Sequence, residues 1–286
     1  MPAAALITVV TITYNNHIGL LATAQSLAAQ KFKQFEWVII DGDSKDQTKE
    51  ILSHLTPTPA TIIIEPDNGI YDAMNKGVTH ANGLYTLFLN AGDTLPFAET
   101  LGHIAKELTV NRPDFLYGDA FEFTTNGNHH FKAARRHEKQ AWGLFTHHQS
   151  MLYKTALLKS FQYNTRYKIA ADYDLTLRFL RSAQTITYLA APLSVFEAGG
   201  LSQTQALSGR AEQFTIRRTL KTVPLWKNIV IYAAQWLNWH FRKITPNAYW
   251  FLKRSSQSGD NKDSGSAPIY TPPRHPESPA SRHKNG

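Results

Sequence analysis

The chain has 286 residues, 42% hydrophobic and 12% aromatic, enough for a sizeable core and too much for a disordered, collagenous or low-complexity protein. It has no cysteine, which excludes disulfides, Cys-ligated zinc, iron–sulfur clusters and a thiol nucleophile. The net charge of +8 is concentrated in residues 205–254, which carry nine Lys/Arg against Glu212 alone, while residues 1–204 are nearly neutral.

In chain order, Leu6–Thr13 is a β-branched run without a strongly polar face, as in a strand buried within a parallel sheet. A helical stretch over about 18–30 follows. Phe35–Ile40 reads as a second buried strand ending at Asp41-Gly42, and Ser44 is placed to cap a helix running to about Leu55. Thr61–Ile64 reads as a third strand, Tyr71–Ala81 as a helix, and Tyr85–Leu89 as a fourth strand ending at Asn90-Ala91-Gly92-Asp93. This alternation predicts a doubly wound α/β sheet. Polar clusters follow the strands directly: Tyr14-Asn15, Asp41-Gly42-Asp43, Glu65–Gly69 and Asn90–Asp93. Open α/β sheets bind ligands beyond the carboxyl ends of their strands, so the four clusters are expected on one rim.

The first strand is followed neither by Gly-x-Gly-x-x-Gly nor by a Gly-Lys-Ser/Thr loop, so no dinucleotide fold or P-loop is indicated. A bound diphosphate then needs another source of positive charge. Magnesium or manganese, held by one or two carboxylates and the phosphates, is the usual answer. Asp93 is placed for that role; it equally suits a turn or a helix N-cap before Thr94-Leu95-Pro96.

Several motifs occur together and in order: Val9–Asn15, Val38–Thr48, Glu65–Gly77, Leu87–Asp93, His148-Gln149 and Ala171–Leu175. Over roughly two-thirds of its length the chain resembles the family 2 glycosyltransferases of GT-A fold. The nearest branch is similar to the colanic-acid and O-antigen enzymes of bacterial surface polysaccharide assembly. The resemblance implies a mixed, doubly wound α/β sheet flanked by helices. It implies an inverting transfer of a sugar from a nucleoside-diphosphate sugar to a hydroxyl of a polyprenyl-linked glycan. By the same resemblance Thr11, Tyr14 and Asn15 border the nucleotide base and ribose, and Asp41 bonds the base. Asp67, Gly69, Asn75 and Asn90 line the nucleotide-sugar channel, and Asp93 holds a divalent metal, Mn or Mg. Asp172 is the catalytic base, and His148 and Gln149 face the acceptor. Each residue type also has a structural use. Asp41 suits a turn, Asn75 helix packing, His148 a core site, and Asp172 the N-cap of a helix over 173–181.

One departure from the family pattern stands out: positions 90 and 92 are Asn and Gly, leaving Asp93 as the single aspartate of the metal segment. Metal affinity without the diphosphate is therefore expected to be low, and Lys76, Arg135 or Arg136 are candidates to share the charge. Two other functions stay open. A sugar nucleotidyltransferase also uses an α/β nucleotide fold, but usually shows a Gly- and Arg/Lys-rich loop where this chain has Thr13–His17. A non-catalytic nucleotide- or glycan-binding module fits the thinned aspartate motif.

The expected organisation is a catalytic domain over 1–204, a basic aromatic helical extension over 205–254, and a disordered tail over 255–286 rich in Ser, Pro and Gly. From Trp226 to Ile244 apolar residues recur at 226, 229, 230, 233, 237, 241 and 244, a helical spacing. Trp236, Trp239, Tyr249, Trp250 and Phe251 add rings among Lys and Arg. Such a segment suits peripheral contact with an anionic membrane, or alternatively a helical cap on the body. No nucleic-acid-binding motif is present. No apolar run is long enough to span a bilayer and the N-terminus lacks a signal-peptide pattern, so the expectation is a cytoplasmic chain, peripheral at the inner membrane face.

Overall fold

A computed structural model describes residues 5–124, 129–197, 199–200 and 204–244. The tail expected over 255–286 and the aromatics Tyr249, Trp250 and Phe251 lie outside the described residues.

The β-branched runs become strands of one sheet. These are β1 (Ile7–Thr13), β2 (Phe35–Asp41), β3 (Thr61–Ile64), β4 (Tyr85–Phe88), β5 (Phe115–Phe123), β6 (His129–Lys132), β7 (Met151–Lys154) and β8 (Ile186–Glu197). Their order is β3-β2-β1-β4-β7-β5-β6, with β8 running along β5. β1 to β4 are mutually parallel, whereas β7 is antiparallel to both β4 and β5, so the sheet is mixed. The helices are α1 (His17–Ala28), α2 (Thr48–Leu52), α3 (Ile70–His80), α4 (Thr100–Asn111), α5 (Thr155–Leu158), α6 (Ala171–Ser182), α7 (Ala206–Thr219) and α8 (Leu225–Ile244).

Strand periodicity of two sorts the apolar side chains into two cores. Ile7, Val9, Trp37, Ile39 and Leu87 pack with Leu20 and Leu27 of α1 and Ile104 of α4. Val10, Ile12, Val38, Ile40 and Phe88 pack with Met74 of α3 and Leu175 and Phe179 of α6. Gly77 lets α3 lie against β1, because a Cβ there would fall 2.3 Å from Val10 Cγ1. The parallel strands therefore deliver the loops after β1, β2, β3 and β4 to one rim, as the chain order predicts.

Two local expectations are corrected. The helix expected to run to Leu55 is the short α2, with Gln47 at its N-cap; Ser44 caps nothing, because its hydroxyl donates to Asp41 instead. α6 starts at Ala171 with Ala170 at its N-cap, so Asp172 lies inside the first turn. The body also continues past Thr204. Ile216 of α7 is fully buried in a small core with Ala170, Tyr173 and Leu177. No helix among the described residues is long and apolar enough to cross a membrane.

Candidate active site

The loop after β1 is shaped by two asparagines. Asn15 adopts a left-handed conformation (φ 48°), which this residue type tolerates, and its Oδ1 accepts the Lys45 N–H at 2.7 Å. Asn16 caps α1, accepting the Gly19 N–H at 3.0 Å, and its amide donates to the Ala91 carbonyl at 3.0 Å. The loops after β1, β2 and β4 are thereby tied together. Tyr14 is left exposed over Gly42, where a Cβ would meet Asp67 Oδ2 at 2.5 Å and Tyr14 Cδ2 at 3.1 Å. Asp67 accepts the Gly69 N–H at 2.9 Å, and Gly69 turns with φ 113°, which only glycine adopts freely, to start α3.

Two adjoining spaces open on this rim. A pocket of about 680 Å³ is lined by Tyr14, Asp43, Lys45, Asp67 and Gly69. A cleft of about 1870 Å³ holds Asp93, Asp172, Tyr71, His148, Gln149 and Glu197. Asn16, Ile70, Asn90 and Ala91 line both. Asn90 Oδ1, on that shared wall, is buried without a hydrogen-bond donor.

Asp93 sits on a turn held from α1, where the Thr23 hydroxyl donates to the Asp93 carbonyl at 2.8 Å and accepts the Gly92 N–H at 3.1 Å. A bridge between Thr94 and Val195 brings the end of β8, and with it Glu197, to the same place. Burial pushes the Asp93 carboxyl up to about 7; the Gln149 amide, donating at 2.8 Å, opposes the rise and Glu197 adds to it. Asp172 is likewise pushed up to about 6 by burial, against the Tyr173 N–H, which donates to its Oδ1 at 2.7 Å and favours its anion. Among the described residues no group of three or more His, Asp or Glu could hold a metal. A carboxyl whose charge burial disfavours, with Glu197 acting on it, fits a hard divalent ion when a diphosphate supplies further oxygens.

Several residues expected at the site stand elsewhere. Thr11 is buried in the α1/α4 core, where its hydroxyl accepts the Trp37 indole N–H at 2.9 Å. Asp41 is fully buried below the rim, and both its carboxylate oxygens accept from Ser44, whose hydroxyl in turn accepts the Asn15 N–H at 2.8 Å. It shapes the loop and is not open to a base. Asn75 spends both ends of its amide on the Tyr163 backbone, at 3.0 and 2.6 Å. His148 lines the cleft but is buried. Its Nε2 meets the Tyr163 hydroxyl at 2.9 Å, and burial pushes its pKa down to about 3, so it is neutral. Gln149, expected to face the acceptor, instead binds Asp93, and its Oε1 contacts His147, whose ring stacks on Phe196. Of the three candidate cations, Lys76 pairs with Glu65 and Asp72, and Arg136 with Glu138; Arg135 lines the cleft and has no ion pair among the described residues.

Sequence reasoning missed Glu197, Tyr71 and Glu212. Glu197 reaches the site only through a bridge between residues about a hundred apart, a contact with no local signature. Tyr71 lies within a quoted motif and its role beside Asp172 follows from the packing of α3. Glu212 had a visible signal: it is the one acidic residue in a strongly basic segment.

The sequence model described as Glycosyl transferase family 2 matches residues 8–176. A PGL/p-HBAD biosynthesis glycosyltransferase of Mycobacterium bovis is 33% identical over 209 residues, covering 71% of this chain and 81% of the relative. S. aureus TarS 1-349, solved in complex with UDP-GlcNAc, superposes with a TM-score of 0.62 at 21% identity, over 85% of this chain and 74% of that one. The mannosyltransferase PcManGT from Pyrobaculum calidifontis, in complex with GDP-Man and Mn2+, gives 0.60 at 13% identity, over 90% and 81% of the two chains. At these identities the solved structures bear on the fold alone.

Proposed function

The chain belongs to glycosyl transferase family 2, and on that premise we propose that it moves a sugar from a nucleoside-diphosphate sugar to a glycan hydroxyl, with inversion. The observation that carries this reading is the pairing of two spaces: the pocket lined by Tyr14 and Asp67 adjoins, across Asn16, Ile70, Asn90 and Ala91, a cleft holding Asp93 and Asp172. The nucleotide sugars bound by TarS and PcManGT support the donor class. The acceptor is a lipid-linked glycan of bacterial surface assembly, in keeping with the resemblance to that branch and with the biosynthetic relative.

The nucleoside lies between Tyr14 and Asp67, and the orphaned Asn90 Oδ1 accepts from a donor hydroxyl. Asp93 would hold Mn or Mg together with the diphosphate, and that ion, when bound, supplies Lewis-acid stabilisation of the leaving charge. Gln149 keeps the Asp93 carboxylate aimed. Asp172 accepts the proton of the acceptor hydroxyl as that oxygen bonds to the anomeric carbon. The bond from that carbon to the diphosphate breaks, and its electron pair leaves on the diphosphate. A base with a pKa of about 6 is largely ionised at neutral pH and still strong enough to take a proton.

The test is Asp172→Asn. Turnover falls by about 10²–10⁴ while donor binding, followed by calorimetry, is unchanged. Near-normal turnover would remove Asp172 from the role of base.

A further inference from the structure

Helix α8 keeps an apolar face in solvent as well as one against the body. A surface helix ordinarily turns its apolar stripe to the core and its polar side to water. Here the inward side is mixed: Ile231 is fully buried and Tyr232 meets Phe214, with two polar residues beside them. Asn228 is 1% exposed; its Oδ1 accepts from Arg217 Nε at 2.6 Å and its Nδ2 donates to the Phe214 carbonyl at 2.9 Å. One turn and more along, Gln235 donates to the Trp142 carbonyl at 3.1 Å. The opposite face carries Trp226 (67% exposed), Ile229, Val230, Leu237 (60%) and Ile244 (74%), which fall on one side of the helix at spacings of three, four and seven. A contiguous exposed apolar stripe of this kind marks a surface that something covers.

We propose that this face of α8 lies in the interface of an anionic membrane. Charge decides the occupant. Ahead of and within the start of α8 the chain exposes Arg218, Lys221 and Lys227, the last beside Trp226, and has no acidic residue from 213 to 244; Arg217 is buried and turned to Asn228. A second copy packed face to face would gather those cations without acidic partners, because a twofold contact joins the same patch of both copies. Anionic headgroups neutralise them, and an indole with its polar N–H sits well at the headgroup level. The helix cannot cross the bilayer, so it lies along the surface. Gln235 and Asn238 of the same helix line the cleft, so attachment holds the cleft beside the lipid headgroups. That link to a lipid-linked acceptor rests on the proposed function; the membrane surface itself does not.

The test is co-sedimentation of the full chain with vesicles of phosphatidylcholine alone and of phosphatidylcholine mixed with phosphatidylglycerol. The comparison set is a double variant, Trp226→Ser with Leu237→Ser, and a control, Leu84→Ser, which removes an equally exposed apolar side chain before β4. All the changed side chains face solvent, and matching thermal melts confirm folding. The wild-type chain and the control pellet with anionic vesicles and stay in solution with neutral ones, while the double variant binds anionic vesicles at least tenfold more weakly. The proposal is overturned if the wild-type chain ignores anionic vesicles, or if the double variant pellets equally well. It is also overturned if sedimentation velocity shows a dimer that the double variant cannot form. Donor hydrolysis without lipid reads the proposed function separately from this surface.

Discussion

At the scale of the residue, the site is set by two carboxyls held in an environment that disfavours their charge. Asp93 at about 7 and Asp172 at about 6 both lie above the ordinary aspartate value. A group whose folded-state pKa is raised binds more protons folded than unfolded, so stability declines as pH rises from the unfolded value of about 4 through the folded one. Asp93→Asn therefore stabilises the metal-free chain above pH 7, by about 1 kcal/mol or roughly 2–4 °C in Tm, while abolishing transfer. Thermal melts at pH 5 and pH 8 check this, with the gain expected only at the higher pH. Protons and a divalent ion compete for the same carboxylate, so raising the manganese concentration moves the acidic limb of kcat/KM to lower pH. A limb that stays fixed over a wide manganese range would place the metal elsewhere. Asp93 and Asp172 were singled out in sequence because each belongs to a motif in a fixed position after a strand or ahead of a helix, and the fold brings both to one cleft. Thr11, Asp41 and Asn75 were misread for one reason: a buried threonine, aspartate or asparagine serves backbone and core partners as readily as a ligand. Only the geometry separates the two uses.

At the scale of the element, the helix carrying Asp172 is held by a side chain from outside the motif-bearing body. Glu212 of α7 accepts the N–H groups of Lys168, Ile169 and Ala170 at 2.8–2.9 Å, the three residues before α6. The Tyr71 hydroxyl donates to the Ile169 carbonyl at 2.7 Å from the other side. An anion at the amino end of a helix is favourable, and here it also fixes the angle at which the first turn, with Asp172, meets the cleft. Glu212→Ala leaves three backbone donors without their carboxylate and costs about 2–4 kcal/mol of stability. It lowers kcat about tenfold through misplacement of Asp172, with the donor KM unchanged because the nucleoside pocket lies on other loops. Glu212→Gln, which keeps one acceptor oxygen, recovers part of both losses. Equal effects on kcat and donor KM would mean that the whole cleft had shifted. The β-α alternation up to β4 was readable because each buried strand is a continuous apolar run and each following helix is short and local. The half of the sheet beyond β4 was not. β5 pairs with β8 across about seventy residues, with a register shift at Gly118–Asp119, and nothing local encodes such a pairing.

At the scale of the whole molecule, composition drew a boundary near Thr204 where charge changes abruptly, but the fold draws none there. α7 covers Tyr173 and Leu177 with Ile216 and Leu220, and buried Arg217 reaches from it to Asn228 of α8. Charge patterning reports what faces solvent; it carries no information about which helix completes a core. A chain ending at Thr204 therefore loses more than a membrane-facing segment. It exposes the small core around Tyr173, at about 2–5 kcal/mol for the loss of a buried side chain such as Ile216, and it removes the Glu212 clamp as well. The two losses together lower Tm by roughly 10 °C or more for a protein of this size. Transfer to a water-soluble acceptor falls with it, since Asp172 is no longer held. Differential scanning calorimetry of the shortened and full chains, with turnover measured on the same samples, decides the matter. A shortened chain that melts within a degree or two of the full one and still turns over would make α7 and α8 an appendage, as their composition alone implies. Loss of both properties makes them part of the catalytic body, with the apolar stripe of α8 as its outer face.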